Sequence, residues 1–512
     1  MFPRTHAQRG LALFLLLALI YVLRVALTFT IERDMGPARP LLATLVVAGT
    51  AGLSAALFGG LYALIVRRAA ARPLWLALGL TPLLIPPFLS VVAWRATLGP
   101  GGHLPRLLGW EAGGPSILMQ SWIYSAPSAG FILGASWSPL VFLAVSALLL
   151  RLPAGQLEAA RLARGVWGER RVLWRALLPG VLLGAGGVVA LSAIEFAGPI
   201  LLRVPVQAEQ VSLAFDAERD SAGALQRAVP LVLLAVAALA LPLLSWVPPL
   251  PGARTRPSPT KGSWFAALGC ALLLLPGTWL PILDLGIRLT RRSGVAATLE
   301  SSWAVGAGDA GNSLWVGLWT ATLAVGLGLL IAWPLRRASR PWVALVFGLG
   351  AVLVAIPPAL WGIGLLKLLN RPGLDPLLDS LACVSLADLL RFGPLAVGLL
   401  CLAIRSAPLA REEAARLAGR SPWPLTLRHL APAILTAWAL VYLLSVTEFG
   451  ASALLAPPGK ALLAVFVVNE AHYGQGADLA GLTSLLLVTA LVPPLLAGSL
   501  AAYSWRTRGA QA

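Results

Sequence analysis

Long apolar runs separated by short, basic loops constrain this chain of 512 residues more than any other feature. Each run has about 20 mostly apolar residues, which is the length that an α-helix needs to cross a bilayer. Only 12% of the residues are charged, about half the share found in soluble domains. The sequence therefore predicts an all-α, polytopic membrane protein in a lipid bilayer and argues against a soluble or disordered chain. About twelve spans are predicted, at approximately 11–30, 41–66, 74–98, 128–150, 180–202, 229–249, 264–284, 314–335, 341–368, 387–405, 433–456 and 480–504.

The basic residues are distributed unevenly among the loops. With twelve spans and both termini in the cytoplasm, the cytoplasmic segments hold 24 of the 39 Lys and Arg residues but only four of the 21 acids. This is the excess that the positive-inside rule describes. The net charge of +18 is therefore interpreted as a topology signal, and no nucleic-acid partner is expected. The first run lacks a cleavage site after it, so we expect an uncleaved first helix.

Three short sequences occur twice, in the same order. Glu-Ala-Ala-Arg-Leu-Ala begins at Glu158 and again at Glu413, 255 residues later. A Glu-Phe pair begins at Glu195 and at Glu448, an offset of 253 residues, and Ile-Pro-Pro begins at positions 85 and 356. The near-equal offsets of the first two pairs predict a fused duplication. Six spans per half would give the two copies the same orientation, with a pathway on the axis that relates them.

The duplication predicts a division of the chain into two membrane halves. A stretch rich in Pro and Gly falls between the sixth and seventh runs. We therefore expect a first six-span half at 1–250, a cytoplasmic linker at 251–262 and a second six-span half at 263–512. Each half contains a basic segment before its fifth span, at about 151–179 and 406–432. We refer to these as the first and second repeat segments.

The repeat segments share a pattern: a short amphipathic helix, a glycine, a basic stretch and a proline at the start of the next span. Gly165 and Pro179 occupy these positions in the first segment, and Gly419 and Pro432 in the second. This pattern resembles the signature of permease subunits of ATP-binding-cassette importers, which is Glu-Ala-Ala, three residues, Gly, and Pro about thirteen residues further on. The second segment matches that spacing, whereas Gly165 comes one residue late.

The resemblance narrows to the fused permeases of the iron(III)/thiamine type, through the Ile-Pro-Pro sequence at 85–87 and the sequence 448–459. It implies the type I importer fold in a bacterial inner membrane. It also implies two partners, namely two copies of a cytoplasmic ATPase and a periplasmic solute-binding protein. The repeat segments would then be coupling loops that dock in the ATPase. The docking residues implied are Glu158, Ala159, Ala160, Gly165, Glu413, Ala414, Ala415 and Gly419.

No enzymatic or cofactor site is expected in the chain itself. A phosphate loop requires Gly-x4-Gly-Lys-Ser/Thr, and none of the three lysines has this context. The three cysteines and four histidines lack metal-ligand spacing, so neither a metal nor a cofactor is predicted. The energy must then come from a partner or from an ion gradient. The alternative is thus a secondary transporter with two parallel halves, although such carriers commonly place their charged loop between the second and third spans.

Two carboxylates, Glu195 and Glu448, fall in equivalent positions of the fifth spans. A carboxylate within a membrane is costly and tends to face a cavity or a partner. The pair could line the translocation pathway. Alternatively, each could be a structural carboxylate, bonded near a helix end or paired with an arginine. The paired prolines at 86–87 and 357–358 predict breaks in the third and ninth spans, as static kinks or as points of flexing.

Overall fold

The structure is a computed structural model that describes residues 38–110, 114–149, 152, 154–244, 263–290, 294–407, 409–419, 421, 423–473 and 477–509. Among these residues it is helical without a β-strand, apart from one isolated bridge between Ala69 and Ser263. The predicted first span, 11–30, and the predicted linker, 251–262, lie outside the described residues. The chain divides into two compact units, Met1–Ile287 and Arg288–Ala512.

The described helices of the first unit begin with a long span and end with a helix that runs past the unit boundary. Two 3-10 turns, Val66–Arg68 and Thr81–Leu84, and a π-helical turn, Leu275–Trp279, interrupt them. The helices are α1 (Arg39–Ile65), α2 (Arg72–Leu78), α3 (Pro87–Leu98), α4 (His103–Leu107), α5 (Gly114–Ile123), α6 (Ala126–Leu149), α7 (Ala154–Ala193), α8 (Ala197–Leu201), α9 (Gln207–Asp216), α10 (Ser221–Leu244), α11 (Trp264–Leu273) and α12 (Leu280–Thr290).

The second unit has a similar order of elements. A long span is followed by a broken pair, a very short helix, a second long span, a short amphipathic helix, a further span, another very short helix and two closing helices. These are α13 (Val295–Leu335), α14 (Arg340–Ala355), α15 (Pro358–Leu369), α16 (Asp375–Leu378), α17 (Leu381–Ser406), α18 (Leu409–Leu417), α19 (Trp423–Val446), α20 (Ser452–Leu455), α21 (Leu463–Tyr473) and α22 (Ala477–Gly509).

The predicted membrane character is confirmed. Within the described part of the chain, eight helices are long and apolar enough to cross a bilayer, and three bent pairs raise the number to eleven if each pair is one span. The chain is therefore a multi-pass helical membrane protein. The count of twelve spans in two repeats remains a prediction.

Two of the three bent pairs break at the paired prolines. The helix axis turns by 88° between α2 with its following 3-10 turn and α3, and by 92° between α14 and α15. Pro86 and Pro357 are the residues just before the second helix of each pair, with extended backbone at ψ 135° and 141°. Proline has no N–H to continue the preceding helix, and the residue before a second proline is pushed out of the α region. The predicted breaks are thus present as sharp bends.

The segment that follows the predicted linker packs within the first unit. Ser263 exchanges backbone hydrogen bonds with the chain around Arg68, at 2.7 and 3.1 Å. Further along, Trp94 donates to the carbonyl of Pro276 at 3.0 Å, and His103 Nε2 lies 3.0 Å from Asp284 Oδ1. The boundary between compact units is consequently Ile287, later than the predicted linker. The predicted halves concern duplication of sequence and remain a prediction.

The core of the first unit is a close contact of α1 with α6, made possible by glycines. A Cβ on Gly59 would lie 2.3 Å from the carbonyl oxygen of Ser138 and 2.9 Å from the amide nitrogen of Phe142. Similarly, a Cβ on Gly134 would lie 2.4 Å from the carbonyl oxygen of Ala51. Small residues that let helix backbones approach closely are the usual basis of packing in membranes, where water supplies no driving force between spans.

We expect Gly59→Ala to lower the free energy of unfolding by about 1–3 kcal/mol, because the new methyl group would collide with the backbone of α6. The next residue gives a matched control, since a Cβ on Gly60 meets nothing within 4 Å. Gly60→Ala should be neutral or stabilising by about 0.5–1 kcal/mol. Thermal or detergent-induced unfolding of the purified variants measures both effects. Equal stability of the two variants would contradict the close helix contact.

Candidate functional site

The first repeat segment is a bent helix in the structure. The helix α7 contains two residues with non-helical backbone, Arg164 at φ −142° and Gly165 at φ 63° and ψ −157°. The positive φ of Gly165 is readily adopted by glycine, whereas it is strained for residues with a side chain. The part of α7 before the break carries Glu158, and the part after it continues into the span that ends at Ala193. Gly165 is thus the residue at which the short helix ends and the chain turns.

The second repeat segment has the same construction. The helix α18 ends at Leu417, and Gly419 follows with φ 66° before α19 begins at Trp423. The two glycines therefore share a positive φ, although their distances from the Glu-Ala-Ala sequence differ by one residue. The proline of each segment, Pro179 or Pro432, lies inside the following helix.

The residues of the two Glu-Ala-Ala sequences differ in exposure. Glu158 and Ala159 are exposed and Ala160 is half-buried, whereas Glu413 and Ala414 are exposed. Ala415 is buried, with 6% of its surface accessible. The exposed face of α18 is accordingly formed by the residues on either side of Ala415 rather than by Ala415 itself.

A pair of leucines in the repeat segments was missed in the sequence-based prediction. Leu162 and Leu417 follow the Glu-Ala-Ala-Arg sequence at the same position, and each is 90% exposed. A single exposed leucine is unremarkable on a protein surface, but an equivalent pair at the tips of two matching helices indicates a contact surface. The signal was present in the sequence, as a leucine between charged and small residues in both copies, yet exposure could be read only from the structure.

Glu412 ties the second repeat segment to neighbouring helices of its unit. Arg336, just after α13, donates a hydrogen bond to Glu412 Oε1, and Thr426 Oγ1 of α19 donates to the same oxygen at 2.7 Å. Burial alone would raise the pKa of Glu412, but the hydrogen bonds from Arg336 and Thr426 and the charges of Arg336 and Arg416 outweigh it, so the pKa is lowered from its ordinary value of 4.5. The carboxylate is therefore held charged at neutral pH.

This shift predicts an acid-dependent loss of stability. A carboxylate whose pKa is lowered by folding stabilises the fold above its unfolded pKa, and that contribution is lost as the pH falls through the folded value. We expect the difference in melting temperature between the wild type and Glu412→Gln to be constant above about pH 5 and to shrink below about pH 4.3. Thermal unfolding of both proteins from pH 3 to pH 8 measures this difference. A gap that persists unchanged at pH 3 would contradict the ion pair.

The structure places Glu448 in a buried network of α17, α19 and α20. Arg391 Nη1 donates to Glu448 Oε1 at 3.0 Å, and only 2% of the Glu448 side chain is accessible. The same carboxylate accepts hydrogen bonds from the backbone N–H of Ala451, at 3.0 and 3.1 Å, and from the N–H and hydroxyl of Ser452, both at 2.9 Å. These contacts favour the structural alternative for Glu448, near a helix end and paired with an arginine.

A second buried carboxylate lies beside this network. Ser445 donates a hydrogen bond to Asp388 Oδ2 at 2.5 Å, and Asp388 is completely buried. Asp388 and Arg391 carry no signal in the sequence, because both lie in α17 and their partners are 57 residues further along the chain.

Glu195 differs from its counterpart in the second unit. It is half-buried and accepts a hydrogen bond from the backbone N–H of Ala197 at 3.0 Å, at the start of α8. When α6 and α17 are aligned on their internal prolines, Pro139 and Pro394, the position of Arg391 corresponds to Ser136. The first unit therefore has no arginine at that position. The role of Glu195 in a pathway remains a prediction.

Within the described residues, no group of three His, Cys, Asp or Glu side chains could hold a metal ion.

Comparison with known proteins gives a distant similarity. No protein-family model matches the chain. The chain is 28% identical over 187 residues to "Putative 2-aminoethylphosphonate transport system permease protein PhnV" of Salmonella typhimurium, which covers 35% of this chain and 69% of that protein. The protein of the same description from Salmonella typhi is 28% identical over 188 residues, 35% of this chain and 70% of its own length. These relatives are described as transport permeases, which is consistent with a subunit that is not an enzyme.

Proposed function

We propose that this chain is the permease subunit of an ATP-binding-cassette importer, in which it forms the translocation pathway for a small solute. The observation that carries this proposal is the pair of repeat segments, each a short helix with an exposed leucine, a glycine at positive φ and a following span. The membrane fold and the similarity to transport permeases support the same function. The proposed fold is the type I importer fold with twelve spans.

The partners follow from this proposal. Two copies of a cytoplasmic ATPase would bind the repeat segments, and a periplasmic binding protein would deliver the solute to the opposite side of a bacterial inner membrane. Both termini would then lie in the cytoplasm. In the docking contact we place Glu158, Ala159, Leu162, Glu413, Ala414 and Leu417, with Gly165 and Gly419 as the turns. Ala160 and Ala415 would support the helices from beneath because they are less exposed.

In this mechanism, closure of the ATPase dimer on ATP moves both repeat segments together. The contacts of Glu412 would carry a push on α18 further, since they connect that helix to Arg336 after α13 and to Thr426 in α19. Arg405 adds a link by donating a hydrogen bond to the carbonyl of Leu335 at 2.6 Å. A force on the short helix would thus reach two spans of the second unit at once and open the membrane halves outward.

The solute is proposed only as a class. The fused permeases that the sequence resembles transport iron(III) or thiamine-like solutes, whereas the relatives found by comparison are described as 2-aminoethylphosphonate permeases. We propose an iron(III) or thiamine-like solute, with a phosphonate as the second candidate that the relatives favour. Measuring which of these solutes the cognate binding protein retains would distinguish the two.

The decisive experiment is reconstitution in liposomes. The purified chain alone, with a solute gradient, should not transport, whereas addition of the ATPase, ATP and the loaded binding protein should start uptake. An ATPase variant that binds ATP but cannot hydrolyse it is the control and should not support repeated uptake. Transport by the lone chain, coupled to a proton or sodium gradient, would overturn the proposal in favour of a secondary transporter.

A further inference from the structure

An arginine-lined cavity of about 1140 Å³ lies in the first unit, beside the first repeat segment. The C-terminal ends of α1 and α6, the helix α7, the start of α11 and Arg72 and Leu76 of α2 line it. Two of the charged residues that line it are acids, Glu158 and Glu169. The other five are basic, namely Arg67, Arg68, Arg72, Arg161 and Arg170.

Comparison of the two repeats shows what this cavity lacks. In the second unit, Arg336 follows the long span α13 and pairs with Glu412, the residue before Glu413. In the first unit, Arg67 follows the long span α1 after one intervening residue, Val66, and like Arg336 it is the first residue of an Arg-Arg pair. The residue before Glu158 is Leu157, and it lines the cavity together with Arg67. The first copy therefore keeps the arginine and replaces its carboxylate partner by an apolar side chain.

The positive charge around Arg67 is balanced only in part within the described residues of the unit. The guanidinium groups of Arg67, Arg68 and Arg72 make no hydrogen bond or ion pair there, and the Nε atom of Arg72 is buried without a partner. Glu169 attracts Arg67 electrostatically without pairing with it and lies 3.9 Å from Arg161, so two acids face the five arginines of the cavity. Three like charges within six residues repel one another, and a buried donor without an acceptor is costly. An external anion would satisfy both requirements.

The remaining lining of the cavity is apolar and belongs to membrane helices. Leu64 and Ile65 come from the end of α1, Leu149 from the end of α6, and Phe265 from the start of α11. The arginines lie at the end of these spans where the positive-inside rule predicts the cytoplasmic surface. Basic pockets between spans on that side suit the headgroups of anionic lipids, whose acyl chains require an apolar surface nearby.

We propose that this cavity binds an anionic phospholipid, whose phosphate takes the place that Glu412 has in the second repeat. The phosphate would accept hydrogen bonds from Arg67 and Arg72, and the acyl chains would lie along the apolar residues of α1, α6 and α11. The lipid would thereby connect the first repeat segment to α1, as Glu412 connects the second repeat segment to the end of α13. The proposal does not depend on the transported solute or on the ATPase.

The test uses the full chain purified in mild detergent, without partners. Native mass spectrometry would compare binding of phosphatidylglycerol with that of phosphatidylcholine carrying the same acyl chains. We expect phosphatidylglycerol to bind about tenfold more tightly or better. Each arginine near an anionic headgroup increases the affinity by a factor approaching ten. Equal binding of the two lipids would overturn the proposal.

Substitutions of residues that line the cavity test whether the lipid binds there. Leu157→Glu would supply the missing carboxylate and should abolish the preference for phosphatidylglycerol, whereas Leu157→Gln, of the same size and uncharged, should retain it. Arg67→Gln and Arg72→Gln should each weaken the preference, and Arg171→Gln, at an exposed arginine that does not line the cavity, should not. Thermal unfolding checks that each variant is folded, and two arginine positions keep the test valid if one variant is unstable.

A third arm distinguishes a lipid from a free anion. Inorganic phosphate is titrated against the wild type and Leu157→Glu, with thermal stabilisation as the readout. We expect no difference between them at phosphate concentrations up to the millimolar range. Stabilisation by phosphate of the wild type alone, without a preference for phosphatidylglycerol, would overturn the lipid assignment. A preference for phosphatidylglycerol that survives Leu157→Glu would overturn the location.

Discussion

Replacing Arg391 by Met is expected to lower the free energy of unfolding by about 3–5 kcal/mol, the usual cost of removing one partner of a buried ion pair. The side chains of Arg391 and Glu448 are only 11% and 2% accessible, and their charged atoms are 3.0 Å apart. Without the guanidinium, the carboxylate of Glu448 would remain buried with backbone and hydroxyl donors but no opposite charge. Asp388 is also buried nearby, in α17.

Unfolding of the purified chain by sodium dodecyl sulfate, followed by far-UV circular dichroism, measures this loss. Arg428→Met is the matched control, because Arg428 is an exposed arginine in α19, and it should change stability by less than about 0.5 kcal/mol. The double variant Arg391→Met with Glu448→Gln should recover at least about 1 kcal/mol relative to Arg391→Met, since it removes the unpaired charge. A loss no larger than that of the control would show that the ion pair is not stabilising.

The membrane character and the helix breaks could be predicted from the sequence, because both depend on local properties. An apolar run of about 20 residues indicates that the segment lies in lipid, whatever the rest of the chain does. The sharp bends at Pro86 and Pro357 likewise follow from the covalent geometry of proline. The turns at Gly165 and Gly419 belong to the same class, since a glycine after an amphipathic helix commonly ends it.

Features that depend on distant partners could not be predicted in this way. The partnership of Arg391 with Glu448 joins residues 57 positions apart, and a carboxylate in a span looks the same in sequence whether it faces a pathway or an arginine. The packing of Ser263 against the chain at Arg68 is another example, because periodicity does not indicate which helices become neighbours. The burial of Ala415 beside the exposed Ala414 could not be predicted either. It depends on the orientation in which α18 packs on its neighbours.

The exposed leucines of the repeat segments give the largest expected effect on assembly. We expect the double variant Leu162→Asp and Leu417→Asp to weaken association with the cognate ATPase at least about 100-fold. Burial of one leucine side chain contributes roughly 1.5–3 kcal/mol, and 1.4 kcal/mol corresponds to a factor of ten. An aspartate would in addition have to be desolvated in an apolar pocket. Each single variant should lose about tenfold or more, because in the proposed assembly each helix would contact one ATPase copy.

Co-purification of the ATPase and its stimulation by the loaded binding protein are the measurements for these variants. Leu107→Asp provides the control, since Leu107 is also an exposed leucine but lies in a predicted outside loop, and it should leave the association unchanged. Retention of the chain in the membrane fraction and an unaltered melting temperature would show that the double variant still inserts and folds. If the double variant still bound the ATPase fully, the two leucines would not be part of the contact. The proposed docking of the ATPase on these two helices would then lose its structural support.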